Sequence, residues 1–350
     1  MSCCSRTEIP ATTHRWITGQ VPTPAGDVPR VAARLTRHDR LDAWAARWGI
    51  GRNRLRINPG LYAVGSPTAE SPLLATANYK LSFDALRSAL DGLDAWILVL
   101  DTNGINVWCA AGKGTFGTEE LVDRLKATGV DRIIRQKTVI LPQLGAPGVA
   151  AHDVKQQTGF QVIYGPVYAR DIPQFLQDGM KASAAMRRVT FNLRQRLTVV
   201  PVELVQRFIP ACLVIIAGIL ISSFASSGVP FASTKWPVIA GVVGMNYLAG
   251  IMATPALLPW LPGRSFALKG AETGLVTGLI LGAVFSVVKL EGIAIALLST
   301  AACSYLGLMF TGSTPYTSAS GVRRELRRAI PLQILAVGAG LVLWITTQLG

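Results

Sequence analysis

The sequence predicts an α/β domain followed by an all-α bundle of five transmembrane helices. Charge is distributed unevenly: residues 1–200 carry 25 Lys and Arg and 16 Asp and Glu, whereas residues 201–350 carry 9 and 4. The second half contains five long stretches without charge, each close to the roughly 20 apolar residues that cross a bilayer as a helix. In the first half, short apolar runs alternate with helical patterns, which is typical of an α/β sandwich.

The chain divides into four parts on this basis. We expect an N-terminal extension over 1–55, partly disordered because residues 1–30 are rich in Pro, Thr and Ser, and an α/β domain over 56–185. A basic juxtamembrane linker over 186–204 follows, and the membrane domain occupies 205–350. Residues 1–27 lack the apolar core of a signal peptide.

Periodicity and turn residues predict the elements of the first half. We expect strands over 60–65, 73–77, 96–101, 132–141 and 161–164, and helices over 35–48, 83–90, 119–127, 152–158 and 172–179. Asn103-Gly104 favours the positive φ angles of a type I′ turn, so residues 105–108 are expected to return as a strand beside 96–101. Thr118 is a good N-cap for the helix that follows it.

The spans are expected near 205–224, 238–258, 273–288, 293–310 and 332–348, the third being short and extendable to 271. Gly274, Gly278 and Gly282 recur every four residues, which favours close helix packing. Arginine is concentrated before the first span and in the second-to-third and fourth-to-fifth loops. This bias places the N-terminal domain in the cytoplasm and the C-terminus outside. The spans hold no paired charges, which argues against an ion-coupled transporter.

The net charge of +14 agrees with these arginine clusters acting as topology determinants and as contacts for anionic membrane lipid. No nucleic-acid-binding module is visible, and nucleic acid is not an expected partner. The five cysteines form no disulfide framework, which suits a reducing cytoplasm. Adjacent Cys3 and Cys4 are either a soft-metal site or an unimportant tail.

Cys109 lies in the most informative run of the chain, where small residues and a lysine follow a Trp-Cys pair. Space next to the thiol would let it reach a flat, bulky ligand. The run is Asn106, Val107, Trp108, Cys109, Ala110, Ala111, Gly112 and Lys113. It resembles the complete signature of the mercury-methylating corrinoid proteins, which are related to the corrinoid iron–sulfur protein of the acetyl-CoA pathway. Further blocks over 78–84, 140–149 and 164–167 also resemble that family.

The resemblance implies a Rossmann-like corrinoid-binding domain in which all eight signature residues bind the cofactor. Cys109 would be the catalytic residue and the lower axial ligand of cobalt in a cobalamin-like corrinoid whose own base is displaced. The implied activity is that of a membrane-anchored methyltransferase that transfers methyl from cobalt to inorganic Hg(II) and forms methylmercury.

Thiolate donation should stabilise the oxidised cobalt left after methyl departs with its electron pair. Regeneration then requires low-potential electrons, and the chain has no Cys run for an iron–sulfur cluster. The resemblance therefore implies a ferredoxin-like partner with two 4Fe–4S clusters and a methyl-folate-type donor.

Other interpretations remain open. Gly112-Lys113-Gly114-Thr115 suggests a phosphate loop, but Val107 occupies the position of the required first glycine. Lys113 is either a partner for a polar group of the cofactor or a solvated surface residue. His152-Asp153 has the reverse order of the histidine-containing cobalamin signature. A corrinoid methyl carrier for another acceptor in one-carbon metabolism would share the site, whereas a transporter or sensor would need no cobalt.

Overall fold

A computed structural model describes residues 14–227, 235–285, 287, 289–312, 314 and 319–349. The chain forms two compact units. One comprises Met1–Ala46 and Ile50–Val189, and the other comprises Arg47–Gly49 and Thr190–Gly350. Cys3 and Cys4 lie outside the described residues.

The first unit is a mixed α/β domain built on a seven-stranded sheet. Its strands are β1 Ile17–Thr23, β2 Gly26–Val31, β3 Gly60–Val64, β4 Leu73–Ala77, β5 Ala95–Leu100, β6 Thr138–Leu141 and β7 Gln161–Tyr164. Their order across the sheet is β1-β2-β3-β5-β4-β6-β7. Strands β5, β4, β6 and β7 are parallel, whereas β3 is antiparallel to β5 and β1 to β2.

The described part of this unit contains six α-helices, the first of which ends one residue inside the other unit: α1 Arg37–Arg47, α2 Lys80–Ala89, α3 Val107–Lys113, α4 Thr118–Thr128, α5 Ala151–Thr158 and α6 Ile172–Gln177. The buried side chains of α3, α4 and α5 form one apolar cluster with the sheet, and those of α2 and α6 form another. Successive strand residues point to opposite faces. Because helices cover both faces, every residue of β3, β4 and β5 is buried.

The expectation of disorder over 1–30 is wrong for residues 14–30, which contain the β1–β2 hairpin. Trp16, Val28 and Val31 are buried and anchor it. Pro22 is tolerated because β1 is an edge strand. The polar and proline-rich composition of residues 14–30 is therefore compatible with an ordered hairpin.

Two strand predictions also need correction. Residues 107–113 form helix α3 instead of the tail of a return strand, although Asn103 (φ 57°) and Gly104 (φ 72°) do adopt the predicted positive φ angles. The strand expected over 132–141 is only β6, because Arg132 ends the 3₁₀ turn Val130–Arg132 and residues 133–137 form turns and irregular backbone. Helix α4 has Gly117, not Thr118, as its N-cap.

Helix α1 confirms the helix predicted over 35–48, but its apolar side is not the buried side. Leu41 and Trp44 are 60% and 55% exposed, whereas Asp39 is 5% exposed. The buried side of α1 instead carries a charged residue, Asp39, together with Ala46.

The second unit is helical: α7 Leu193–Thr198, α8 Val200–Ser227, α9 Trp236–Leu248, α10 Thr254–Leu257, α11 Phe266–Val284, α12 Lys289–Gly312 and α13 Ala319–Leu349. A π-helical turn, Ala249–Ala253, connects α9 to α10. Among the described residues, five helical segments are long and apolar enough to cross a membrane, namely Val200–Ala225, Trp236–Leu257, Phe266–Val284, Leu290–Gly312 and Ser320–Leu349. These agree in number and approximate position with the five predicted spans. Each begins earlier than predicted, most of all the fifth, which begins at Ser320 instead of residue 332.

The predicted glycine packing is confirmed at two positions. A Cβ on Gly274 would lie 2.8 Å from the Thr300 Cα, and one on Gly278 would lie 2.7 Å from the Ala296 Cα. Helices α11 and α12 therefore meet backbone to backbone. Gly282 makes only ordinary contact.

The expectation that no charges pair within the spans needs amendment. Helix α8 begins earlier than the predicted first span and includes Glu203 and Arg207, whose Oε2 and Nε atoms lie 3.4 Å apart. The pair sits one turn apart near the start of the helix, so it leaves the remainder of that span without charge.

Candidate functional site

The parallel strands β4, β5, β6 and β7 end at the same edge of the sheet, and the conspicuous sequence blocks follow these ends. In open α/β sheets ligands bind outside the carboxyl ends of the strands, next to the point where strand order reverses. Here β4 lies between β5 and β6, with their connecting helices on opposite faces. The reversal therefore lies at the ends of β4 and β6.

Asn78, directly after β4, organises the turn after β5. Its side-chain oxygen accepts hydrogen bonds from Thr102 N at 3.1 Å, Thr102 Oγ1 at 2.8 Å and Gly104 N at 2.8 Å. Its amide nitrogen donates to Asp101 Oδ1 at 3.0 Å. Asn78 is 3% exposed and Thr102 is fully buried. One buried carboxamide therefore fixes the segment that leads to Cys109.

Asn106 begins α3, and Cys109 lies in the first turn. The Asn106 side chain accepts a hydrogen bond from Cys109 N at 2.9 Å, as N-cap residues do. Helix α3 ends at Gly114, whose φ of 82° is in the left-handed region that favours glycine. The signature is thus a complete short helix with its own start and stop residues.

Helical spacing divides the signature into two faces. Val107, Ala110 and Ala111 belong to the core cluster beneath the helix. Trp108 and Cys109 are half-buried, while Gly112 and Lys113 are exposed. Because residues four apart share a face of a helix, these four form one accessible surface. The alanines after the cysteine serve close packing of α3, a role that the sequence did not reveal.

Gly112 is not required by the packing of the protein. A Cβ added there would meet no atom within 4 Å. Since glycine within a helix is destabilising by about 0.5–1 kcal/mol relative to alanine, the fold gains nothing from it. Its effect is to leave space beside the thiol.

The block over 140–149 lies directly against α3. Within it the 3₁₀ segment Gln143–Gly148 follows β6. A Cβ on Gly145 would lie 2.5 Å from the Phe116 Cε1, and one on Gly148 would clash with the Phe116 carbonyl oxygen. Both glycines therefore allow the loop after α3 to approach the end of β6.

The block over 164–167 closes the same region. The Tyr164 hydroxyl donates to Val149 O at 2.7 Å, and Gly165 N donates to Leu141 O at 2.8 Å. Thr118 Oγ1 accepts from Ala150 N at 2.9 Å. Burial raises the pKa of the Tyr164 hydroxyl, so it stays protonated as a donor. The four blocks thus meet at one edge.

The block over 78–84 contributes a second structure, a buried cluster of charges. Lys80 Nζ lies 2.7 Å from Asp39 Oδ1 and 2.6 Å from Asp84 Oδ2. Arg87 Nη2 lies 3.0 Å from Asp39 Oδ2, and its Nε lies 2.8 Å from Asp84 Oδ1. Two acids and two bases thereby join α1 to α2. Lys80, Asp84 and Arg87, three of its four members, follow one another at helical spacing in the sequence, but the participation of Asp39 could not be anticipated.

Arg56 is a further residue that sequence reasoning missed. It forms an isolated β-bridge with Tyr79, next to Asn78. A Cβ on Gly104 would lie 2.7 Å from the Arg56 Cγ, so the exposed arginine extends along the turn before α3. Its guanidinium places a fixed positive charge at this edge.

Cys109 is not part of a larger cluster of metal ligands within the described part of the chain. Among the described residues, no group of three or more His, Cys, Asp or Glu side chains is placed to hold a metal ion. The site can therefore offer a metal one soft sulfur ligand, and the remaining ligands would have to come from a cofactor.

Comparison with known proteins shows what part of this unit is similar to. Residues 50–176 match the family model of the CO dehydrogenase/acetyl-CoA synthase delta subunit. Similar proteins include the gamma subunits of the acetyl-CoA decarbonylase/synthase complex from Methanopyrus kandleri (29% identical, covering 36% of this chain and 27% of the relative) and Methanothermobacter thermautotrophicus (33%, covering 34% and 26%). The gamma subunit of Methanosarcina acetivorans is 32% identical, covering 36% and 27%.

The chain spans about a quarter of the length of the curated relatives that it matches. The predicted similarity to a protein of the acetyl-CoA pathway is confirmed over residues 50–176 of the α/β unit. The finer resemblance to mercury-methylating proteins stays a prediction.

Proposed function

We propose that the α/β unit is a corrinoid-dependent methyl carrier and that Cys109 is the cobalt ligand. The observation that carries the proposal is the placement of a half-buried thiol on the accessible face of α3, beside a glycine that leaves its surroundings open. The similarity to subunits of the acetyl-CoA decarbonylase/synthase complex supports the same class.

The residues present fit such a cofactor. Cys109 offers a single soft ligand, and a macrocycle would supply the ligands that the protein does not. Space beside Gly112 admits a flat group that a side chain would obstruct. When bound, the corrinoid would supply a cobalt atom able to accept and release a methyl group. We also propose that the cofactor's own base is displaced (base-off), so that Cys109 would supply the ligand in its place.

The chain's own residues have separable tasks in this proposal. Cys109 would hold the metal as its thiolate, because the deprotonated sulfur is the metal ligand. Asn106 fixes the backbone of Cys109 through the N-cap. Trp108, Gly112 and Lys113 form the surface around the thiol, and Lys113 offers a cation to polar groups at the cofactor's rim. The buried residues Val107, Ala110 and Ala111 support them from beneath.

The acceptor that we propose is inorganic Hg(II), giving methylmercury. The intact signature from Asn106 to Lys113 supports this choice. The alternative is a methyl carrier for another acceptor in one-carbon metabolism, which the matched relatives favour. Both need a methyl donor, for which we propose a methyl-folate-type compound. For the reductant we propose a ferredoxin-like protein with two 4Fe–4S clusters.

The membrane unit is proposed to anchor the carrier in the cytoplasmic membrane, with the α/β unit in the cytoplasm. Support comes from the five helices long and apolar enough to cross a membrane and from the arginines between them. Anchoring and docking of the reductant are the roles that we propose for it.

The test is a comparison of full-length wild type with Cys109→Ala, purified anaerobically and loaded with corrinoid. Cys212→Ala is the matched control, because Cys212 is also a half-buried free thiol but lies in α8. We expect Cys109→Ala alone to change the visible spectrum of the bound corrinoid. An unchanged spectrum would reject Cys109 as a ligand.

Methyl transfer then separates the two acceptors. With a methylated corrinoid and added Hg(II), wild type and Cys212→Ala should form methylmercury. The rate of Cys109→Ala should be at least about 100-fold lower, because loss of the ligand should exceed the 10–100-fold cost of removing a residue that supports a metal ligand. Corrinoid binding without mercury-dependent transfer would instead favour the one-carbon alternative.

A further inference from the structure

The membrane unit contains a groove that is lined by residues of α11, α12 and α13. Helices α11 and α13 both pack against α12 and leave a cavity of about 430 Å³ between them. Small or aliphatic side chains form its walls: Ala267, Leu268, Ala271, Ala301, Leu332 and Ala336. Leu332, on α13, is 67% exposed at the edge of the groove. These walls suit a hydrocarbon chain.

The mouth of the groove is positively charged. Arg264 precedes α11, and Arg324 and Arg328 lie one turn apart on α13, all three exposed and lining the cavity. One acid, Glu325, also lines it, but its Oε1 accepts a hydrogen bond from Ala267 N at 2.6 Å. The mouth thus has three arginines and one carboxylate, which is already hydrogen-bonded. Its net charge is positive and complements an anion.

A buried polar atom lies deeper in the groove. Gln333 is 8% exposed and lines the cavity. Its amide nitrogen donates to Ser304 Oγ at 2.9 Å, whereas its carbonyl oxygen has no hydrogen-bond partner within the described part of the chain. Buried polar atoms are normally paired. This oxygen can only accept a hydrogen bond, so neither an anion nor a hydrocarbon chain would pair with it, and the ligand preference of the groove follows from its charged mouth and its apolar walls.

We propose that this groove binds an anionic phospholipid. Its phosphate lies against Arg264, Arg324 and Arg328, and one acyl chain follows the apolar walls between α11 and α13. Arginine suits a phosphate because its planar fork can donate two parallel hydrogen bonds. A soluble phosphate would use only the mouth. The apolar length of the groove, in helices apolar enough to span a membrane, therefore favours a lipid.

The charge of the mouth is tested with Arg324→Gln/Arg328→Gln in the full-length protein. The matched control is Arg323→Gln/Arg327→Gln, which removes the same charge from the same turns of α13 at positions outside the cavity lining. Binding of phosphatidylglycerol and of phosphatidylcholine with identical acyl chains is measured by native mass spectrometry. We expect wild type and the control to prefer phosphatidylglycerol, and the test variant to lose about tenfold of that preference.

The apolar part is tested with Ala336→Leu, which narrows the groove without changing charge. It should weaken phosphatidylglycerol binding several-fold and leave the melting temperature and elution volume unchanged. Inorganic phosphate at equal concentration should not displace the lipid. Equal losses in the test and control arginine pairs would show general surface electrostatics and overturn the proposal. Full displacement by inorganic phosphate would also overturn it, because the site would then bind the anion alone.

Discussion

The side-chain oxygen of Asn78 accepts a hydrogen bond from Gly104 N at 2.8 Å and thereby ties the end of β4 to the turn before α3. Gly104 has a φ of 72°, and Asn103 before it has a φ of 57°. Both amides of this left-handed pair are hydrogen-bonded, since Asn103 N donates to Asp101 Oδ1 at 3.0 Å and Gly104 N donates to Asn78. The position of Cys109 in the fold therefore depends on a residue 31 positions earlier in the sequence.

Replacement of Asn78 by Ala should loosen this turn. Buried Thr102 N and Gly104 N would lose their acceptor, and each unpaired group costs about 1–3 kcal/mol. We expect hydrogen exchange at the amides of Thr102 and Gly104 to accelerate at least tenfold. Asn58→Ala is the control, because Asn58 is exposed and its side chain forms no hydrogen bond among the described residues. Unchanged exchange in Asn78→Ala would show that the turn holds its shape without this residue.

Two glycine substitutions should separate cofactor space from protein packing. Gly112→Leu places a side chain where no protein atom lies within 4 Å, so we expect an unchanged or slightly higher melting temperature. Corrinoid affinity should fall by at least about tenfold if the cofactor occupies that space. Gly148→Ala should lower the melting temperature even without corrinoid, because its Cβ would clash with the Phe116 carbonyl oxygen. Corrinoid affinity is measured by titration of both variants, and stability by thermal unfolding. Wild-type corrinoid affinity in Gly112→Leu would contradict the proposed position of the cofactor beside residue 112.

The buried charge cluster should make stability depend on pH. Burial raises the pKa of the Asp39 carboxyl, but hydrogen bonds from Lys80 and Thr36 and the charge of Arg87 outweigh it, so the pKa lies well below its ordinary value of 3.8. An acid of lowered pKa stabilises the fold above its unfolded pKa, and this contribution is lost as the pH falls through the folded value.

Asp39→Asn should therefore cost about 3 kcal/mol near pH 7, since removing one partner leaves buried charges uncompensated. The difference from wild type should stay constant from about pH 8 to pH 5 and shrink below about pH 4. Denaturant unfolding across this range measures it. Asp42→Asn is the control, because Asp42 is half-exposed and 3.8 Å from Lys80 Nζ. A difference that does not vary with pH would exclude this role for the Asp39 charge.

The arginine distribution predicts the orientation of the membrane unit. Reporter fusions after Lys269 and Ser320 should be cytoplasmic, and fusions after Thr234 and Gly350 should be external, because positively charged loops stay inside. Activity of a paired phosphatase and fluorescent-protein reporter checks each position. A cytoplasmic C-terminus would be incompatible with five crossings from a cytoplasmic first unit.

The sequence by itself determined the features that depend on local pattern. Charge-free length identified five helices that can span a membrane, and alternation identified the mixed α/β domain. Runs bounded by turn residues located β4 and β7 with their observed limits. The positive φ angles of Asn103 and Gly104 followed from their residue types alone. The signature around Cys109 likewise stood out without any structure.

Only the tertiary structure decided the features that depend on partners distant in the chain. Residues 107–113 are too few for intrinsic propensity to fix their state, so α3 depends on burial of Val107, Ala110 and Ala111. Burial of the charged side of α1 depends on Lys80 and Arg87, 41 and 48 positions beyond Asp39. The space beside Gly112 depends on which other parts of the chain lie near it, and the local sequence does not determine this.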